Sequence, residues 1–137
     1  MILVDSNILI DVFNRDPDWF DWSRGQIGSA TSGGTVAVNP IVVSEVAWCF
    51  ESLERFNRLI SDMLIGFEPF DALAGFVAGK AYQRYRERRG LDAPKLPLPD
   101  FLIGGHAQSL GAAILTRDAR FYRSYFPTVP LITPEKV

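Results

Sequence analysis

Cysteine and histidine occur once each in this 137-residue chain, as Cys49 and His106. A lone cysteine closes no internal disulfide, and one Cys with one His does not furnish the soft-ligand cluster of a zinc site. Charge of either sign is scarce in excess: the formal net charge is −2 at pH 7. No global field therefore draws nucleic acid or an anionic membrane, and a polyanion has to be held by a local patch or a bound metal. No uninterrupted apolar stretch approaches the roughly 20 residues of a membrane-spanning helix. The first apolar run has no basic segment ahead of it and is broken by Asp5 and Asp11. There is no internal repeat. These absences suit a cytoplasmic protein without a membrane segment. What is present, 47% hydrophobic residues, suffices for one core, so residues 1–137 read as a single domain.

The hydrophobic pattern predicts alternating strands and helices. Met1 to Val4 reads as a buried strand, and Ile8, Leu9, Val12 and Phe13 follow helical spacing after it. Asp16 with Pro17 predicts the start of a second helix, ending before TSGG at 31–34. Thr35 to Val38 suits a second strand. Asn39-Pro40 opens a long amphipathic helix to about Leu64, with Val42, Val46, Cys49, Leu53, Phe56 and Ile60 on one arc. A strand near 66–70 precedes a helix from Ala72 to Arg89, which carries Phe76, Val77, Ala81 and Tyr85 and is closed by Gly90. The loop LDAPKLPLP follows, then a helix capped by Asp100, the strand AAILT, a short helix in RDARFYRSYF and a last strand in VPLIT. Strands alternating with helices imply an α/β fold with a mostly parallel central sheet flanked by helices, whose ligands bind beyond the carboxyl ends of the strands.

Four carboxylates stand out against that pattern. Asp5 and Asp118 follow hydrophobic strands and would share the carboxyl edge of a parallel sheet. Each alone is also a plain helix N-cap, as is Asp100. Glu45 lies at the border of an apolar arc, where it either snorkels to water, pairs with an arginine such as Arg55, or serves a function. If the four meet, they raise one another's pKa unless a cation neutralises them. An all-oxygen donor set selects a hard cation, Mg²⁺ or Mn²⁺. Acidic pockets holding one or two such ions suit phosphodiester hydrolysis by activated water.

DSN at 5–7, SEV at 44–46, PDFLIGGHA at 99–107 and TRDARF at 116–121 together resemble the PIN-domain nucleases, in particular the VapC-type toxins of bacterial and archaeal toxin–antitoxin pairs. The resemblance runs through nearly the whole chain in order and spacing. It implies a three-layer α/β/α PIN fold, and Asp5, Glu45, Asp100 and Asp118 as the catalytic acids that bind Mg²⁺ or Mn²⁺. It implies that Ser6, Asn7 and Thr116 line or brace the pocket, where turn and capping chemistry is an equal reading. It implies an RNA substrate, a small cognate antitoxin whose tail can occupy the active site, and a homodimer. Some members carry Asn at the position of Thr116, which leaves open whether Asp118 binds metal directly or through water. Glu45 either binds metal or positions the attacking water.

In KAYQRYRERRG, Arg84, Arg86, Arg88 and Arg89 with interleaved tyrosines offer an RNA-backbone track; the plain reading is a solvated helix end. His106, on its helix, points about 240° from Asp100 and is structural or solvent-facing. Trp19, Phe20 and Trp22 read as core, and Gly104-Gly105 as a close helix contact. Rival readings are an aspartyl phosphatase, an RNA-processing nuclease outside a toxin system, and a non-catalytic RNA-binding module. For the phosphatase, Asn7 stands where a second acid belongs.

Overall fold

The computed structural model describes residues 1–90 and 95–134. Among these, the order is β1 (Ile2–Val4), α1 (Ser6–Phe13), α2 (Phe20–Gly33), β2 (Val36–Val38), α3 (Pro40–Val46), a 3-10 turn (Ala47–Cys49), α4 (Leu53–Asp62) and β3 (Gly66–Phe67). It continues with α5 (Ala72–Arg88), α6 (Leu98–Leu110), β4 (Ala113–Leu115), α7 (Ala119–Tyr125) and β5 (Leu131–Ile132). The five strands form one sheet in the order β3-β2-β1-β4-β5, every pair parallel. The expected α/β/α arrangement is present, with Leu3, Val4, Val36, Ala37, Val38, Ile114 and Leu115 all buried in the sheet. Strands buried on both faces read as continuous apolar runs, which is why they were visible without alternation.

The carboxyl edge brings the ends of β1, β2 and β4 together. Leu3 pairs with Ala37 on one side and Ile114 on the other, and the Asp5 amide donates to the Leu115 carbonyl at 2.9 Å. The residue that leaves each of these three strands, Asp5, Asn39 and Thr116, is polar and almost fully buried. Buried polar side chains require partners, and those partners build the site.

Several elements differ from the sequence reading. Asp16 caps a turn, accepting from the Asp18 and Trp19 amides at 2.9 and 3.0 Å, and α2 begins only at Phe20. That helix runs through Thr31 and Ser32, whose hydroxyls turn back onto carbonyls of Ile27, Gly28 and Ser29. The long helix from Pro40 is broken into α3, the 3-10 turn and α4. Phe50 is extended there, its ring set edge-on to Phe13 at 4.7 Å and Phe56 at 5.4 Å. Ser52 then caps α4 through the Arg55 amide. The break rotates Leu53 off the expected arc and leaves it 65% exposed.

The first part of the Pro-rich loop, 91–94, lies outside the described residues, as do 135–137. Gly104 and Gly105 do mark a close approach. A Cβ on Gly104 would collide with the Phe126 ring, and one on Gly105 would sit 2.5 Å from the Ala78 backbone. Gly111 ends α6 at φ +66°, a left-handed conformation natural to glycine.

Candidate active site

Asp5 sits at the junction of β1 and α1 and is 3% exposed. It does cap α1, its Oδ1 accepting from the Ser6 amide at 2.8 Å. Its Oδ2 receives hydrogen bonds from Thr116 Oγ1 at 2.8 Å, Tyr122 Oη at 3.0 Å and Asn7 Nδ2 at 3.4 Å. Burial pushes its pKa up against these bonds, and the Asp118 charge adds to the push. A carboxylate clasped by three donors on one oxygen is fixed in space and poorly suited to act as a nucleophile. Asn7 does not supply the phosphatase acid: it donates to Asp5 and to Thr116 Oγ1, and its Oδ1 accepts from the Arg117 amide at 3.1 Å.

Asp100 is not the N-cap the sequence suggested. Pro97 holds that position, Asp100 falls in the first turn of α6, and no side-chain capping bond is made. Two prolines explain the shift, because Pro97 and Pro99 at the helix start need no amide partner. Asp100 is thereby left to its electrostatic surroundings. Burial, then the charges of Asp5, Glu45 and Asp118, raise its pKa to about 7. Asp118 takes the cap position of α7, also without a side-chain capping bond; it is exposed.

Glu45 lies on α3, which packs against α1 and α6. It is half-buried and its Oε1 is enclosed without a hydrogen-bond partner. Burial first, and then the Asp5 charge, raise its pKa, while a hydrogen bond with Ser6 opposes the rise. An enclosed, unpartnered carboxylate oxygen is costly, and a bound cation would satisfy it. The four acids therefore influence one another as a cluster. Among the described residues no three His, Cys, Asp or Glu side chains stand close enough together to make a ready metal site. The all-oxygen donor set, the raised pKa values of Asp5, Glu45 and Asp100 and the unpartnered Glu45 oxygen nevertheless fit a hard divalent cation.

The polar brace extends beyond the expected Ser6, Asn7 and Thr116. Thr116 donates to Asp5 while accepting from the Asp118 amide at 2.9 Å, so one hydroxyl ties two acids together. Tyr122, buried behind Asp5, was not anticipated. Neither was Asp11, which receives Arg117 Nε and Nη2, each at 2.8 Å, and Ser23 Oγ at 2.7 Å. The Arg117 guanidinium also lies 5.0 Å from the Trp19 ring, so Trp19 supports this pair. Asp11 interrupting an apolar helix was the available sequence signal.

His106 is buried and structural. Asn39 accepts from the Val42 amide through Oδ1, so its Nδ2 faces His106 Nδ1 at 3.0 Å as a donor. The imidazole then carries its proton on Nε2, an assignment made from the hydrogen-bond network. Burial lowers its pKa. This bond pins α3, the bearer of Glu45, to α6, the bearer of Asp100. The arginines Arg84, Arg86, Arg88 and Arg89 are all exposed at the end of α5. Tyr85 is not available for base stacking; it is buried against Phe101 and Tyr125.

A three-layer α/β protein with an acid cluster at the carboxyl edge of a five-stranded parallel sheet is the class these features define. Within that class the chain belongs to the PIN domain family, whose model matches residues 2–127. Solved structures agree on the fold. VapBC2 from Rickettsia felis, bound to a promoter DNA fragment, superposes with a TM-score of 0.76 at 19% identity, over 98% of this chain and 100% of that one. DNA-bound VapBC from Salmonella typhimurium gives 0.70 at 20% identity, over 96% of both chains. A toxin–antitoxin complex from Klebsiella pneumoniae gives 0.66 at 21% identity, over the whole of both. No curated protein matches the sequence significantly. Among the described residues no helix is long and apolar enough to cross a membrane.

Proposed function

We propose that the chain is a single-domain, divalent-metal-dependent endoribonuclease of the VapC type, the toxin of a cytoplasmic toxin–antitoxin pair. The observation that carries the reading is the coupled set Asp5, Glu45, Asp100 and Asp118, with Asp100 raised to about 7 by burial and by the other three. A pocket meant only to bind RNA gains nothing from concentrated negative charge. A bound Mg²⁺ or Mn²⁺, one or two per site, supplies the Lewis acid and the activated water for phosphodiester hydrolysis. The chain's own groups do the rest. Thr116, Tyr122 and Ser6 hold Asp5 rigid. Glu45 would offer its enclosed Oε1 to the cation or to the attacking water, and Asp100 would hold the cation as a carboxylate. Asp118, tied to Thr116, would complete the donor set directly or through water.

An antitoxin partner is supported by the fold relatives, which are VapBC and toxin–antitoxin assemblies. A small antitoxin has apolar surface to grip: Val43, Ala47, Phe50, Leu53 and Phe56 line a groove beside the 3-10 turn, and that turn leaves Trp48 68% exposed. Homodimerisation is supported by Leu73 and Phe76, both exposed and one turn apart on α5. Arg84, Arg86, Arg88 and Arg89 offer a backbone track for RNA.

The deciding experiment is cleavage of single-stranded RNA in Mg²⁺, Mn²⁺ or EDTA by the wild type and Asp5→Asn. Cleavage should need the metal and vanish in the variant. Metal-independent cleavage, or cleavage untouched by the substitution, refutes the reading. An upstream reading frame for a small DNA-binding protein would separate a toxin from a housekeeping nuclease.

A further inference from the structure

We propose that the cleft between the start of α6 and α7 seats one nucleotide of the RNA, beside the phosphate that is cleaved. This rests on the nuclease reading and adds where a base lies. The cleft encloses about 410 Å³, within the range of about 300–1,000 Å³ typical of small-molecule sites. Asp100 and Asp118 line it, so it opens directly off the acid cluster. Leu96 and Pro97 form one wall, and the other is built by two pairs of residues one helical turn apart on α7: Arg120 with Ser124, and Phe121 with Tyr125.

Each wall has the chemistry a nucleotide needs. Tyr125 is half-buried and held by Phe101 at 5.1 Å, Phe121 at 5.3 Å and Tyr85 at 5.7 Å. A ring fixed in this way is a preset stacking surface, and splayed-out bases of single-stranded RNA stack on such rings. Arg120 is exposed, and among the described residues its guanidinium makes no ion pair or hydrogen bond, although two carboxylates line the same cleft. An unpaired cation there suits a flanking phosphate. With a divalent cation held by the two acids, Arg120 would leave the cleft net positive, which favours the anionic sugar–phosphate chain over a cationic peptide.

Ser124→Phe fills the cleft from an exposed helix position, and Arg120→Ala removes its cation. Both are compared with the wild type for KM and kcat on a single-stranded RNA oligomer with Mn²⁺. Both are also compared for binding of a fluorescein-labelled oligomer in the Asp5→Asn background. Ser124→Phe should raise KM and the oligomer Kd roughly tenfold, with kcat and the melting temperature little changed, and Arg120→Ala should weaken binding in the same sense. Unchanged KM and Kd in both variants overturn the proposal. So does loss of inhibition by an antitoxin with RNA handling intact, because the cleft would then be a protein's seat. If the wild type cleaves no RNA, the nuclease reading falls. The binding arm still decides the cleft: a weakened Kd keeps it as an RNA subsite, and an unchanged Kd removes it.

Discussion

Arg117 grips Asp11 through two hydrogen bonds of 2.8 Å each, and the next residue in the chain is Asp118. The grip ties the turn after β4 to α1, and Ser23 extends it to α2. Asp11→Ala leaves a partly buried guanidinium unpaired and should cost about 2–3 kcal/mol, read by urea denaturation. RNA cleavage should fall with it as Asp118 loses its fixed position. A loss within the roughly 0.5 kcal/mol of ordinary surface substitutions would show the pair to be inert.

Tyr122→Phe keeps the buried ring and deletes one donor to Asp5. The Asp5 pKa should rise further, since that bond lowers it. Stability should drop by about 1–2 kcal/mol where Asp5 is ionised. The deficit should shrink as pH falls and the carboxyl takes up its proton, and urea melts across a pH series measure this.

Asp100 keeps its proton up to about pH 7 in the folded chain, against 3.8 as its ordinary value. Between those values the folded chain binds more protons than the unfolded one, so metal-free stability falls as pH rises through the window and levels off above it. Asp100→Asn should flatten this slope. In EDTA the variant should be more stable than the wild type at pH 8 and nearly equal to it at pH 4; equal stability at pH 8 would contradict the assignment.

Gly105→Ala forces a methyl onto the Ala78 backbone and should cost about 1–3 kcal/mol by overpacking, displacing the helix that bears Asp100. Gly79→Ala on α5 meets open space and should be neutral or stabilising by up to about 1 kcal/mol. Thermal melts of the two variants give the comparison, and similar behaviour would remove the close α5–α6 contact as the reason for glycine.

Replacing Arg86, Arg88 and Arg89 together by Gln should flatten the dependence of log RNA affinity on log salt by about 2, the value for three single-strand phosphate contacts. Fluorescence anisotropy across a salt series reads the slope. No change would return these residues to a solvated helix end.

The sheet and its polar edge were legible because buried parallel strands are short apolar runs and the acids follow them directly. Asp5, Glu45, Asp100 and Asp118 could be singled out by position. What each does locally was harder. Asp100 reads as a cap until Pro97 takes that role, and the break at Phe50 combines the Ser52 cap with the distant rings of Phe13 and Phe56. Asp11 and Tyr122 gave little signal because their partners are distant: Arg117 lies 106 residues from Asp11, and Tyr122 lies 117 residues from Asp5. Periodicity reports which face a residue occupies, not what it meets across the core.

The position of β1 at the middle of the sheet has a consequence for the order of events during synthesis. Its two neighbours arrive far apart in time: β2 early, from residues 36–38, and β4 only from residues 113–115. Thr116, which closes the clasp on Asp5, is translated 111 residues after it. Pairings this distant in sequence are slow to form. A nascent chain still lacking β4 has its first acid in hand but neither the strand that flanks it nor the hydroxyl that fixes it, so the acid cluster assembles only after β4 and Asp118 have been made.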